Sequence, residues 1–216
     1  MIKLGQTTSY KEEKLSITAI VLLGLILGIP YASIVEWTFH RYVMHKPLWG
    51  FTYPFKAHAL THHVIFKSDH RYHLQEGPET EDEKGKIRMA WWNIPFVVLM
   101  GIFPFVLAAT PLVLFGWWGG SIAISVTGLV LSLGYYAAYE YTHWCMHLPK
   151  NRRLEFWWVF RKLNGHHLLH HRFQYTNFNV VLPLADFLFG TLLLRSKIKF
   201  AQACGPSVPD VQPLEC

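Results

Sequence analysis

All thirteen histidines of this chain lie in two short stretches, each beside a long apolar run. Residues 40–73 hold the first set and residues 143–171 hold the second. Neutral imidazole is the commonest protein ligand of transition metals, and side chains three or four residues apart share one face of an α-helix. The histidines therefore predict a metal site formed by the two stretches.

The spacings in the first stretch predict how its rings are shared. His40 and His45 are five residues apart, which puts them about 140° apart on an ideal α-helix. We therefore expect each ring to reach a different one of two metals in a shared cavity. His58 and His62 lie one above the other on such a helix, whereas His63 points about 100° away.

The second stretch contains pairs that suit a single ion. His143 and His147 have the i, i+4 spacing of two ligands on one helical face. The run GHHLLHH at residues 165–171 offers both i+3 and i+4 pairs. Its members are His167, His170 and His171, with His166 as an extra candidate. Because three or four imidazoles satisfy one ion, the clustered histidines suffice for two.

The elements that position these histidines are long and apolar. Hydrophobic residues make up 51% of the chain and charged residues 16%, whereas an average soluble domain has roughly 25% charged residues. Residues 15–35 carry no charge, and about 20 such residues cross the hydrocarbon core of a bilayer. Residues 91–139 are also uncharged and hold two spans with a turn at residues 116–120. This hairpin returns the chain to its starting side, so both histidine stretches face the same compartment.

Basic residues indicate which compartment this is. Lysines and arginines are concentrated in residues 41–90 and 143–216, and the turn at residues 116–120 has none. By the positive-inside rule the histidine-rich face is cytoplasmic. The same sorting accounts for the formal net charge of +6, so we expect no nucleic-acid partner.

The predicted fold is an all-α integral membrane protein with about three transmembrane helices, additional interfacial helices and a metal site facing the cytosol. Residues 1–14 form a polar N-terminal segment, residues 15–199 a single membrane domain and residues 200–216 a C-terminal tail. Residues 183–194 are apolar but too short to cross a bilayer. We expect them to form a helix that lies in the membrane interface or caps the site.

Three carboxylates near the span ends are candidates for orienting the ligands. We expect Glu36, Glu140 and Asp186 to accept a hydrogen bond from a ligand histidine and so to fix its tautomer. The alternative for the two glutamates is that they extend toward the membrane interface. The three cysteines show no CxxC spacing, so we expect neither a disulfide nor an iron–sulfur cluster. Cys145 is predicted to be a small buried residue.

Four short motifs carry a resemblance to a known family. HRYVMH (residues 40–45), HALTHH (58–63), HWCMH (143–147) and HLLHH (167–171) are similar, in order and spacing, to the histidine boxes of the fatty acid hydroxylase superfamily. That superfamily of membrane enzymes also includes sterol desaturases and sterol methyl oxidases. The segment NFNVVLPLADFLFGT, residues 177–191, resembles the family's stretch after the last box. The resemblance covers about residues 30–195.

The resemblance implies a histidine-held dinuclear centre that activates O2 and attacks an unactivated C–H bond of a lipid. The implied cofactors are two iron ions, with zinc as the alternative occupant in a purified sample, and O2 is the cosubstrate. The segment EWTFHRYVMH favours the fatty acyl hydroxylase branch. Ten residues carry over as catalytic metal ligands: His40, His45, His58, His62, His63, His143, His147, His167, His170 and His171. The pattern does not require His70, His73 or His166. For His70 and His73 a surface location is preferred over an accessory pair of helix-spaced ligands.

The expected partners are the membrane, a lipid substrate and a separate electron donor, either cytochrome b5-like or ferredoxin-like. Several aromatic residues are candidates for lining an acyl channel, although lipid-facing or packing roles are more common for any one of them. They are Trp91, Trp92, Phe103, Phe105, Tyr135, Tyr136 and Tyr139.

Other functions fit part of the same pattern. A desaturase uses the same ligands, and the substrate could equally be a sterol, a carotenoid or an aldehyde. Outside this class, the candidates are a membrane heme protein and a metal transporter. Heme cytochromes place their ligands within the spans, and a transporter needs polar groups at the bilayer midplane. The histidines of this chain instead follow the span ends, which favours the enzyme.

Overall fold

The computed structural model describes residues 4–75 and 77–194. Throughout these residues the regular structure is helical, without a strand, as the sequence predicts. The helices are α1 (Leu4–Phe39), α2 (Tyr53–Ala57), α3 (His63–Ile65), α4 (Glu81–Gly85), α5 (Ile94–Leu114), α6 (Trp118–His147), α7 (Trp158–Arg172) and α8 (Leu184–Leu188). Two turns of π-helix, His40–Met44 and His58–His62, follow α1 and α2. The predicted tail at residues 200–216 lies outside the described residues.

Three segments are long and apolar enough to cross a membrane: Ile17–Met44, Trp91–Leu114 and Trp118–His147. The predicted number of spans is therefore confirmed by length and composition. α1 begins at Leu4, so the helix reaches back into the polar N-terminal segment. The turn between α5 and α6 is centred on Gly116, whose φ of 76° is left-handed and suits glycine. It is shorter than predicted, because residues 118–120 already belong to α6.

The three long helices pack through small residues. Phe105 of α5 lies in a gap left by Gly28 of α1 and Gly128 of α6. A Cβ added at Gly28 would lie 2.6 Å from Phe105 Cζ, so a larger residue there would push the helices apart. Such close approach through glycine is a common way for helices to pack in membranes.

The elements that follow the spans close over the end of the bundle. α7 carries the last histidines, and α8 lies against α1 through a buried group formed by Trp37, Phe178 and Ala185. The predicted helix at 183–194 is only five residues long, because Gly190 takes a left-handed conformation just after it. Phe187 is 68% exposed, which fits the predicted contact with the membrane interface. Cys145 is buried among apolar side chains, as predicted.

Candidate metal centre

The ten predicted ligands assemble into two groups of five buried or half-buried rings. The first cluster is His40, His45, His58, His63 and His170, and the second cluster is His62, His143, His147, His167 and His171. Within each cluster the potential ligand nitrogens all lie within 4.8 Å of one another. The two stretches thus meet at one end of the bundle, as the predicted hairpin requires.

Ring nitrogens converge at short distances inside each cluster. In the first, His170 Nε2 lies 3.1 Å from Nε2 of both His45 and His63. In the second, His167 Nε2 lies 3.1 Å from Nε2 of both His147 and His171. The clusters adjoin, since the ring centroids of His63 and His171 are 4.2 Å apart. Two ions held here would therefore be neighbours.

The first cluster corrects two predictions about how the histidines are shared. His40 and His45 were expected to reach different metals, and His58 was expected to share a helical face with His62 rather than with His63. Instead, His40 and His45 share one cluster, and His58 shares that cluster with His63. The His58 ring does stack over the His62 ring as predicted, with centroids 5.2 Å apart, but the two rings belong to different clusters.

The cause of both corrections is the π-helical turn. The backbone N–H of His45 donates to the carbonyl of His40 at 3.1 Å, and that of His63 donates to the carbonyl of His58. These i→i+5 bonds widen the turn and bring residues five apart onto one face. The ideal α-helical angles used for the sequence prediction do not apply there.

The second cluster follows ordinary α-helical spacing. His143 and His147 of α6 share it, and so do His167 and His171 of α7, each pair being i, i+4. The i, i+4 prediction for the third box is confirmed in geometry. The fifth ring, His62, comes from the π-helical turn of the other stretch.

Backbone carbonyls orient half of the rings. The Nδ1–H of His40, His170 and His171 donates to the carbonyls of Phe178, Thr176 and Phe66, respectively. Those of His147 and His62 donate to the carbonyls of Tyr72, at 2.9 Å, and Lys86, at 3.2 Å. A proton held on Nδ1 leaves the lone pair of Nε2 directed into the cluster. Sequence analysis missed these carbonyls, since every residue has one and no residue type marks it.

Burial keeps the rings neutral. It lowers the pKa of His170 to about 4 and the pKa of His62 to about 3, because a buried imidazolium loses its hydration. The pKa values of His58 and His167 are also well below the ordinary value, with burial as the main cause and neighbouring histidines adding to it. Neutral imidazole is the form that binds a metal.

The converging imidazole nitrogens of each cluster suit a transition metal. His62 Nε2 and His143 Nε2 are buried without a hydrogen-bond partner among the described residues. Unpaired buried nitrogens are costly, and both belong to the second cluster, where a metal would satisfy them. An all-imidazole donor set suits iron, zinc or copper.

Two of the three predicted carboxylates support the first cluster indirectly. Glu36 Oε1 accepts hydrogen bonds from the backbone N–H of Val180, at 2.6 Å, and of Val181, at 3.3 Å. Asp186 accepts from the N–H of Phe178, at 2.9 Å, and of Asn179, at 2.8 Å. Within the described part of the chain, neither carboxylate accepts a hydrogen bond from one of the ten clustered histidines, in contrast to the prediction. They hold the backbone segment at residues 176–181 instead, and its carbonyls orient His40 and His170.

The remaining predicted residues have other contacts. Asp186 binds His166 Nε2 at 3.1 Å. Burial alone would raise the pKa of Asp186, but hydrogen bonds from His166, Thr191 and Asn179 lower it, so the group is a carboxylate. Glu140 accepts from the hydroxyl of Tyr136 at 3.1 Å. None of these contacts includes one of the ten clustered rings.

The three extra histidines lie outside both clusters. His166 is held by Asp186, and the ring of His73 donates to the carbonyl of Met146 at 3.0 Å. The side chain of His70 is 88% exposed, which confirms its predicted surface location. The four boxes therefore separate clustered from unclustered histidines correctly.

An apolar cavity between α1, α5 and α6 reaches the first cluster, and we name it the membrane cavity. It is partly open to the outside, and the roughly 810 Å³ of space between and in front of its side chains includes open solvent. Along α1 its wall extends from Gly28 to His40, about 18 Å at 1.5 Å per residue. Phe105 lies at the same end as Gly28, and Met89 and Glu140 lie at the end with His40.

Four of the seven aromatic residues considered for an acyl channel line the membrane cavity. Those that line the membrane cavity are Phe105, Tyr135, Tyr136 and Tyr139. The others are Trp91, Trp92 and Phe103; they do not line it, and their side chains are largely exposed on the outer surface of the spans. Position in an apolar span does not by itself tell an inward-facing ring from a lipid-facing one.

Comparison with known proteins found no match to this chain. No protein-family model matches it, and neither a curated protein nor a solved structure matches it. The resemblance to the fatty acid hydroxylase superfamily therefore remains a prediction from the four histidine boxes.

Proposed function

We propose that this protein is an O2-dependent oxidoreductase that hydroxylates a C–H bond of a lipid at a dinuclear metal centre held by the two histidine clusters. One observation carries the proposal: a buried pair of five-histidine clusters adjoins an apolar cavity between membrane-spanning helices. Two iron ions bound there would supply the activation of O2, since attack on a hydrocarbon requires a redox metal or cofactor.

The chain's own groups hold the metal and position the substrate. The Nε2 atoms of the clusters supply neutral ligands, and backbone carbonyls keep their tautomers fixed. The membrane cavity binds the apolar part of the lipid and excludes water from it. His40 belongs to the first cluster and also lines the cavity, so a carbon bound at that end lies beside the metal ligands.

The proposal includes a location and partners. The basic residues around the clusters favour the cytoplasmic face of the membrane. A lipid enters the cavity from the bilayer, and electrons come from a separate donor, either cytochrome b5-like or ferredoxin-like. A fatty acyl chain is the preferred substrate, because the cavity is long and apolar.

A mass measurement tests this function directly. Lipids are compared by mass spectrometry in cells that express the intact chain, the His170→Ala variant or the His70→Ala variant. We expect a lipid that gains one oxygen with the intact chain and with His70→Ala but not with His170→Ala. His70 is the matched control because its side chain is exposed and outside both clusters.

Other outcomes select the alternatives. Loss of two hydrogens from a lipid would identify a desaturase that uses the same centre. A Soret absorption band in the purified protein would identify a heme protein and contradict the proposal. Metal-loaded protein that changes no lipid in the presence of a supplied electron donor would also contradict it, and transport of the metal would then be measured.

A further inference from the structure

Two buried polar atoms in the membrane cavity lack partners. Asn93 Oδ1 and the Tyr139 hydroxyl have no hydrogen-bond partner within the described part of the chain, and both residues line the cavity. Asn93 Nδ2 donates to the carbonyl of Ala90 at 2.9 Å, which leaves Oδ1 as the free atom of the amide. Unpaired polar atoms of this kind are uncommon in folded proteins and require an explanation.

The other polar side chains of the same wall are paired. The Tyr135 hydroxyl donates to Glu36 at 2.7 Å, the Tyr136 hydroxyl donates to Glu140 at 3.1 Å, and Ser132 Oγ donates to the carbonyl of Gly128 at 2.7 Å. Asn93 and Tyr139 therefore differ from their neighbours in having hydrogen-bonding capacity left for a ligand.

Both residues lie at the end of the cavity near the metal ligands. Asn93 directly precedes α5, and Tyr139 is two turns from the end of α6. The Tyr139 ring stacks on His143 of the second cluster, with ring centroids 5.6 Å apart. Phe105, which closes the opposite end, is twelve residues along α5 from Asn93, or about 18 Å.

The chemistry of these atoms restricts the ligand. The Asn93 oxygen only accepts a hydrogen bond, whereas the Tyr139 hydroxyl both donates and accepts. A carboxylate has no hydrogen to donate to Asn93, and the buried carboxyls of Glu36 and Glu140 line the same end of the cavity. An uncharged hydroxyl or amide group both donates and accepts, and it is not repelled there.

We propose that Asn93 and Tyr139 bind an uncharged hydroxyl or amide group of the lipid substrate, whose tail extends toward Phe105. This inference rests on the proposed function in that it takes the bound molecule to be the substrate. It also places the carbons next to the polar group, rather than the end of the tail, nearest to His40.

Binding of fluorescent polyene probes tests the inference without any turnover. Four probes of equal length end in a hydroxyl, a primary amide, a carboxylate or a methyl group, and each is titrated against the full-length protein purified in a nonionic detergent. We expect the alcohol, the amide or both to bind about tenfold more tightly than the other two probes, as one or two net hydrogen bonds would give. The first two probes distinguish a hydroxyl ligand from an amide ligand.

Substitutions assign the preference to the two residues. We expect Tyr139→Phe to weaken binding of the preferred probe about fivefold and to leave the methyl-terminated probe unchanged. Asn93→Leu has the same expected effect and serves as the second variant. Tyr141→Phe is the matched control, because Tyr141 is on the same helix, is 48% exposed and does not line the cavity.

Each alternative result overturns the inference. Tightest binding of the carboxylate would contradict the selection of an uncharged group at the end of the cavity that Asn93 and Tyr139 line. Equal binding of all four probes, or equal loss for every probe in Tyr139→Phe, would show that the two polar atoms select nothing. Because no probe is oxidised in this assay, these outcomes are separate from the presence or absence of lipid hydroxylation in cells.

Discussion

The two histidine clusters have the same number of ligands but are built on different kinds of helix. The first takes two i, i+5 pairs from π-helical turns, and the second takes two i, i+4 pairs from α6 and α7. Each is completed by one ring from the other stretch, His170 in the first cluster and His62 in the second. Neither stretch can therefore form a complete cluster without the other.

The clusters also differ in their surroundings. His40 of the first cluster lines the membrane cavity, whereas no member of the second cluster does so among the described residues. The first cluster is oriented by the segment at residues 176–181, which Glu36 and Asp186 hold from both sides. We infer that the first cluster faces the substrate, and that the second completes the centre from a position remote from it.

Removing one pair of ligands from either cluster should show most clearly that each cluster binds its own metal. We expect His58→Ala with His63→Ala to weaken metal binding in the first cluster, and His143→Ala with His147→Ala to weaken it in the second. Three rings remain in each case, enough to bind an ion, but the opened space admits water and a competing chelator that the five-ring cluster excludes. Metal analysis after dialysis against a weak chelator should give about half the wild-type content for each double variant. Lipid oxygenation should be lost in both.

Complete loss of metal from both double variants would contradict the division into two clusters. The matched control is His70→Ala with His73→Ala, since neither residue belongs to a cluster. That variant should keep the full metal content and the oxygenated product.

Much of this centre could be predicted from the sequence, and the part that could not has a physical cause. The clustering of histidines beside apolar spans predicted a metal site, and the resemblance of the four histidine boxes selected the ten residues that the structure brings together. The predicted assignment of histidines to the two clusters was wrong for His45 and His63. A π-helical turn replaces the α-helical period there, and no residue type in HRYVMH or HALTHH marks that change. The prediction that Glu36 accepts a hydrogen bond from a ligand histidine was wrong. Glu36 instead binds backbone N–H groups, which the sequence does not distinguish.

Acid should destabilise the metal-free protein through both clusters together. The folded-state pKa of His170, about 4, and of His62, about 3, lie below the unfolded value of about 6.5. The unfolded chain therefore binds more protons in acid, so stability is full above about pH 6.5 and is lost as the pH falls toward 4. Thermal unfolding of the chelated protein at about pH 8 and about pH 5 measures this loss.

The metal-loaded protein is the comparison for the acid experiment. Bound metal competes with protons for the same nitrogens, so its unfolding temperature should begin to fall at a lower pH than that of the chelated protein. An unfolding temperature of the chelated protein that is independent of pH over this range would contradict the burial of neutral histidines.

Asp186 lies outside the segment at residues 176–181 but holds it through hydrogen bonds. A change at Asp186 should therefore affect the first cluster alone. Asp186→Asn replaces one of the two carboxylate oxygens with an amide NH2, so only one of the hydrogen bonds from Phe178 and Asn179 can remain. Because the Phe178 carbonyl orients His40, we expect metal affinity in the first cluster to fall about 10- to 100-fold, the range known for outer contacts of metal ligands. Competition with a chromophoric chelator measures the two affinities.

Asp69→Asn is the control for this variant, since Asp69 is a surface carboxylate paired with Arg71 at 2.6 Å. It should leave both affinities unchanged. Equal weakening of both clusters in Asp186→Asn would indicate a general loss of structure, and circular dichroism and the unfolding temperature would identify that case.

The smallest expected effect concerns the closed end of the membrane cavity. Phe105 fills the gap between Gly28 and Gly128, so Phe105→Ala opens space beyond the present end of the cavity without touching a histidine. We expect the intact metal content, a modest loss of stability and a shift of the oxygenated product toward longer chains. Phe103→Ala is the matched control, because that ring is 57% exposed and does not line the cavity. If Phe105→Ala left the chain-length distribution unchanged while the protein stayed folded and active, the tail would not occupy this cavity, and the assignment of the first cluster to the substrate side would lose its support.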